Sequence, residues 1–80
     1  MKIIQIKYFC GVVEHGGFLA AARELNIAQP ALSRQISELE NEVDAQLLVR
    51  GPGGTKVTDA GSKFYIHAKK ILEQVELAKT

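Results

Sequence analysis

The chain has one cysteine, one methionine, two prolines and no tryptophan among its 80 residues. Cys10 alone excludes an internal disulfide, and its place in an apolar stripe reads as a packed thiol rather than a reactive one. Two histidines, His15 and His67, stand too far apart in sequence to suggest a metal site, so neither metal nor cofactor is expected. No run approaches the roughly 20 apolar residues of a membrane span, and "MKIIQIKYF" lacks a small-residue cleavage site. A cytoplasmic protein without a membrane partner is the expectation. "GPGG" at 51–54 is not followed by the lysine and hydroxyl residue of a phosphate-binding loop, which removes support for nucleotide hydrolysis. Glu38, Glu40 and Glu42 alternate along a helix and point to different sides, so they form no carboxylate pair. His15 beside two glycines suits a helix C-terminus and His67 a wet or interfacial position. No catalytic group is expected. Basic excess is lacking too: the net charge is +1, short of what usually announces a nucleic-acid binder.

What is present is ordinary globular material, 46% hydrophobic and 24% charged, enough for one small domain of marginal stability on its own. Charge is distributed unevenly. Glu38, Glu40, Glu42 and Asp44 crowd into seven residues, whereas residues 25–37 contain no acid and one base, Arg34. A phosphate backbone can approach that second window and is repelled from the first.

Periodicity predicts four helices and one break. Ile6, Phe9, Cys10 and Val13 mark a first helix over about residues 3–14, stopped by "HGG". Phe18, Ala21, Ala22 and Leu25 mark a short second helix ending at Asn26, a residue tolerant of left-handed angles. Leu32, Ile36, Leu39 and Val43 stripe a third, about 28–42, with Pro30 in its first turn. Leu47–Arg50 and Thr55–Thr58 have strand-like composition around Gly-Pro-Gly-Gly and form a hairpin. Thr58 then caps a last helix to about residue 79, with Asp59 against its dipole.

The third helix also has a polar face: Gln29, Pro30, Ser33, Arg34, Ser37 and Asn41. Near its N-terminus those residues are short or planar. A major groove admits a helix, and its base edges are read by glutamine at adenine, arginine at guanine, serine at either and small apolar groups at the thymine methyl. A solvated helix face is the bland alternative. Two short helices joined by "NIAQP" and followed by a glycine-rich hairpin favour the sharper reading, because that order suits a winged helix-turn-helix whose second helix enters the groove.

"YFCGVVEHGGFLAAARELNIAQPALSRQISELENEVDAQLLVR" and "VTDAG" resemble the N-terminal DNA-binding domain of the LysR-type transcriptional regulators, over nearly the whole chain. Its most specific pieces are "AARELNIAQPALSRQISELE" and the "TDAG" that opens the last helix. The resemblance implies a mainly α fold, a winged helix-turn-helix with a two-stranded wing over residues 1–58 and a linker helix over 59–80 that pairs two subunits. It implies a bacterial regulator of transcription, not an enzyme, that binds an inverted-repeat duplex operator. In full-length members a homodimer can pair into a tetramer, and a C-terminal domain, absent from this chain, takes a small-molecule effector. DNA contacts carry over to Gln29, Pro30, Ser33 and Arg34 and, in the wing, to Arg50; Ser37 and Lys56 are added from the polar helix face and the second strand. The chain departs from the pattern at Gly17 and Leu19, where relatives commonly place serine and threonine. Backbone N–H groups after Gly17 remain available to a phosphate. The wing tip, usually basic, is Gly51-Pro52-Gly53-Gly54.

In the last helix Phe64, Ala68, Ile71, Val75 and Ala78 are spaced 4, 3, 4 and 3, with Leu72 widening the stripe, and this exceeds what a core of about 58 residues covers. Dimerisation through Phe64, Ala68, Ile71, Leu72, Val75 and Ala78 is the expectation; the alternative is that the stripe folds back on its own domain. A different-class function also stands: a protein-interaction module that dimerises through a coiled-coil helix and has no DNA role.

Overall fold

The computed structural model describes residues 1–80. Helix α1 (Ile3–His15) opens the chain and stops where Gly16 turns left-handed at φ 80, as the double glycine predicts. Helix α2 (Phe18–Glu24) ends before Asn26, which sits at φ 55. Helix α3 (Gln29–Val43) starts with Pro30 in its first turn, where a missing N–H leaves no bond unmade. Strands β1 (Leu48–Gly51) and β2 (Gly54–Val57) form an antiparallel ribbon, and helix α4 (Asp59–Ala78) completes the chain. No helix is long and apolar enough to cross a membrane.

The strands pair Leu48 with Val57, Val49 with Lys56, Arg50 with Thr55 and Gly51 with Gly54, each strand's ends lying one residue closer to the turn than the sequence suggests. The register is the expected one, and two hydrogen-bonding tasks lie at the base of the ribbon. The Leu47 and Leu48 N–H groups both donate to the Glu40 carboxylate, at 2.7 and 3.1 Å, which ties the base of β1 to α3, while the Leu47 carbonyl accepts from the Thr58 N–H at 3.0 Å. Thr58 is occupied as the N-cap of α4: its hydroxyl accepts from the Gly61 N–H at 2.9 Å and donates to the Gln46 carbonyl at 2.6 Å.

The core joins α1, α2 and α3 through Ile6, Phe9, Val12, Phe18, Ala21, Leu32, Ile36 and Leu39. Gln5, the one buried polar side chain, accepts from the Lys2 N–H and donates to Gln35 of α3 at 3.1 Å, so α1 and α3 share a satisfied polar pair as well as apolar area. Helix α4 joins this core. The Phe64 ring meets Phe9 edge-to-face at 5.2 Å, and Ala68 is 0% exposed. Above them the Glu14 carboxylate accepts from the Tyr65 hydroxyl at 2.7 Å and from the Lys69 ammonium at 2.9 Å.

That packing corrects the expectation for the apolar stripe. Ala68 is enclosed in the chain's own core and has no surface to give to a second copy. Phe64, Ile71 and Leu72 are half-buried against the same core. Only toward the end, at Val75 and the exposed Ala78, does the stripe leave the domain, where it joins Ile71 along one open apolar strip. The reason is packing: the Phe64 ring meets Phe9 at 5.2 Å and the Tyr65 ring lies 6.4 Å from it, which seats the first half of α4 on α1. The first half of α4 is therefore core and its last turns are open surface.

Candidate nucleic-acid interface

The N-terminal half of α3 presents an exposed polar surface beside α2 and the wing. Successive residues on a helix advance 100°, which sorts its polar side into two tracks. Pro30, Arg34, Ser37 and Asn41 form an outward crest, all exposed. Gln29 and Ser33 lie on the flank toward the wing. Glu38, one turn beyond Arg34, and Glu42 are exposed and border the C-terminal end of this crest, so its acid-free part is the N-terminal half.

The hairpin stands beside that flank, with its two faces used differently. Cross-strand partners share a face and neighbours alternate, so Leu48, Arg50, Thr55 and Val57 turn toward the helices and Val49 and Lys56 turn away. Arg50 lies with its guanidinium carbon 3.6 Å from the Phe18 ring centroid and donates from Nη2 to the Ser33 hydroxyl oxygen. Wing, α2 and α3 thus meet at one side chain. Between them runs an open groove of ≈ 430 Å³ lined by Gly17, Leu19, Arg23, Gln29, Arg50 and Thr55 among others, with no acidic residue. A smaller cleft behind it holds Ser33, Ser37, Glu40 and Arg50.

The structure brings together Gln29, Ser33, Arg50 and Gly17, places Pro30, Arg34 and Ser37 alongside on the crest, and leaves Lys56 outside. Lys56 projects from the outer face of the ribbon, a consequence of the two-residue period that its spacing from Thr55 implies. Lys7 is also away from this surface, in the cleft between α1 and the end of α4 with Leu72, Val75 and Glu76. Arg23 also lines the groove, and the sequence reading did not single it out. A window opened at residue 15 would have found it: from there to residue 37 the only acid is Glu24. Glu40, which the sequence places in a solvated acidic end, instead tethers the wing to α3 through two backbone N–H groups.

No His, Cys, Asp or Glu cluster could hold a metal ion. Cys10 is buried, and desolvation together with the nearby Glu14 charge pushes its thiol up to about 11, so it is packing material.

The chain matches the family model for "Bacterial regulatory helix-turn-helix protein, lysR family" over residues 3–62. It belongs to the lysR family. Among curated LysR-family relatives, it is 47% identical to the nitrogen assimilation regulatory protein nac of Klebsiella aerogenes over 99% of this chain and 26% of that protein. It is 47% identical to the HTH-type transcriptional regulator BenM of Acinetobacter baylyi over 95% of this chain and 25% of that protein. The chain therefore spans about a quarter of the length of these relatives. Among solved structures, the CbnR DBD–DNA complex superposes with a TM-score of 0.94 at 38% identity, covering 99% of this chain and 91% of that one. The BenM DBD/catB site 1 DNA complex gives 0.93 at 46%, covering 98% and 88%. The winged helix-turn-helix of LysR regulators is thus the fold of this chain, four helices and a two-stranded wing.

Proposed function

We propose that this chain reads duplex DNA in the major groove through the N-terminal half of α3 and regulates transcription as a dimer. One observation carries this: Gln29, Arg50 and Arg23 line an acid-free groove, with Ser33 bound to Arg50 and Pro30 and Arg34 exposed beside it, in a chain that superposes over nearly its whole length on LysR-family domains crystallised with DNA. Gln29, Ser33 and Arg34 address base edges, Pro30 offers apolar contact, and Arg23 and Arg50 address phosphates. Ser37 extends the base-facing crest, Lys56 offers a contact from the outer face of the wing, and Gly17 borders the groove. The role is binding, with no catalytic step, in the bacterial cytoplasm.

Dimerisation rests on Ile71, Val75 and Ala78 with Leu72 at the margin, the part of α4 that the core leaves uncovered. A second copy there gives two recognition helices related by a two-fold axis and hence an operator of inverted half-sites. Residues 1–58 supply the reading head and 59–80 the helix that joins two heads. Tetramer formation and response to a small-molecule effector belong to the rest of a full-length regulator. Selection of bound duplexes from a random pool tests the proposal: enrichment of one inverted repeat is expected, and recovery of unenriched sequence would overturn it.

A further inference from the structure

We infer that Arg50 is a specificity-positioning residue: by donating to the Ser33 hydroxyl oxygen, it biases Ser33 toward donating a hydrogen bond to the base it faces. This rests on the proposed reading of DNA by α3.

A serine hydroxyl has one proton and two lone pairs and reads either kind of base edge. On a helix it commonly gives its proton to the carbonyl four residues back, which here is that of Gln29. Ser33 makes no such bond; its one side-chain hydrogen bond is the one it accepts from Arg50 Nη2. A charge-assisted donor on the oxygen draws electron density away from the remaining lone pair and leaves the proton free.

Arg50 is itself held. Its guanidinium lies 3.6 Å from the ring centroid of Phe18, which is 5% exposed and fixed in the core, and its backbone is paired with Thr55 in the ribbon. One face and one N–H of the guanidinium are thus engaged on the protein side, so the bond to Ser33 is preorganised while the other N–H groups remain available to a phosphate. The major groove offers acceptors at purine N7, guanine O6 and thymine O4, and donors at adenine N6 and cytosine N4. Ser33 biased toward donating therefore favours a purine or thymine at the base it contacts and disfavours cytosine, whose major-groove edge is a donor.

The experiment uses four duplexes that share an enriched operator and differ at one base pair, in turn, across each half-site. Wild type should disfavour cytosine at one position by roughly three- to tenfold, the worth of one hydrogen bond. Ser33→Ala should abolish that preference, and Ser33→Thr, which keeps the hydroxyl, should retain it. Arg50→Met should shrink the cytosine penalty at the same position to under about twofold, beyond any general loss of affinity, and should do nothing further to that preference in the Ser33→Ala background. Arg50→Lys serves as a second variant that keeps charge for phosphate but loses the fork, and it should lose the preference as well. A uniform loss on all four duplexes in Arg50→Met and Arg50→Lys, with the preference intact, would overturn the inference while leaving specific binding standing. A wild-type protein with no preference among any of the duplexes would overturn both.

Discussion

Arg34 and Gln29 differ in support although both face outward: Arg34 stands on the crest of α3 and Gln29 borders the groove shared with Arg50 and Arg23. Gln29→Ala and Arg34→Ala should each cost about 1–3 kcal/mol on an enriched duplex and much less on a scrambled one, read by titration of both. Equal losses on both duplexes would mean that the two residues touch only phosphate. Gly61 presents a different constraint, one of space. A Cβ there would sit 2.1 Å from the Leu47 carbonyl oxygen and 2.8 Å from a Val57 methyl, because the first turn of α4 lies directly on the base of the wing. Gly61→Ala should lower stability by roughly 1–3 kcal/mol in thermal or denaturant unfolding, the range for overpacking; an unchanged midpoint would show that α4 can slide away. The residue types at Gln29, Pro30, Ser33 and Arg34 were legible in the sequence because helical period and groove chemistry are local. Arg50 on Phe18 and Ser33 was not, since those partners are distant in sequence and meet only after the wing docks. Ala68 misled for a related reason: heptad spacing says which side of a helix is apolar, but not which neighbour covers it.

Among the elements, the wing differs from a rigid basic finger in charge and in backbone. Its loop is Pro52-Gly53, with Gly54 at φ 106 and Gly53 outside the positive-φ region, and a Cβ on either glycine would point into open space. Gly53→Arg should therefore be accommodated, should tighten binding to all duplexes and should steepen the salt dependence by about 0.9 for each further phosphate neutralised. Gly54→Arg should instead strain the turn and weaken binding. An unchanged salt slope in Gly53→Arg would place the wing tip away from the DNA. The expected strands, 47–50 and 55–58, have the observed register and differ from β1 and β2 only in their ends, by one residue, where Thr58 caps α4 and Glu40 holds the base of the wing. Between α1 and α4, the Tyr65 hydroxyl first and the Lys69 ammonium second hold the Glu14 carboxyl below its usual range, while that same bond holds the Tyr65 phenol above its own. Stability from the lowered Glu14 is present above the unfolded carboxylate pKa and is lost as pH falls through the folded value; stability from the raised Tyr65 is lost as pH rises through its folded value. Since the pair is largely exposed, Glu14→Gln should cost under about 1 kcal/mol at neutral pH. The melting difference from wild type should vanish in acid, and one that persisted there would contradict the clasp.

For the molecule as a whole, α4 belongs to the core and, in the proposed dimer, also to assembly. Removal of residues 59–80 would strip Phe64 and Ala68 from the core and unfold the domain, so that deletion cannot isolate dimerisation. Val75→Glu touches the part of the helix that leaves the core and should give a folded monomer by sedimentation, with weakened binding to inverted repeats. An intact dimer would move the pairing surface elsewhere. Charge at this scale remains low: +1 overall, with Arg23, Arg34 and Arg50 on the proposed DNA-facing side, Lys56 at its edge on the outer face of the wing and Lys7 turned from it. Few ionic contacts per subunit leave base readout to supply discrimination. The most direct measurement is therefore the affinity ratio between an enriched inverted-repeat duplex and a scrambled duplex of the same composition, titrated at several salt concentrations. The ratio should reach about a thousandfold or more and change little with salt, while both affinities fall together along a shallow slope; a ratio near one would contradict reading of bases by α3.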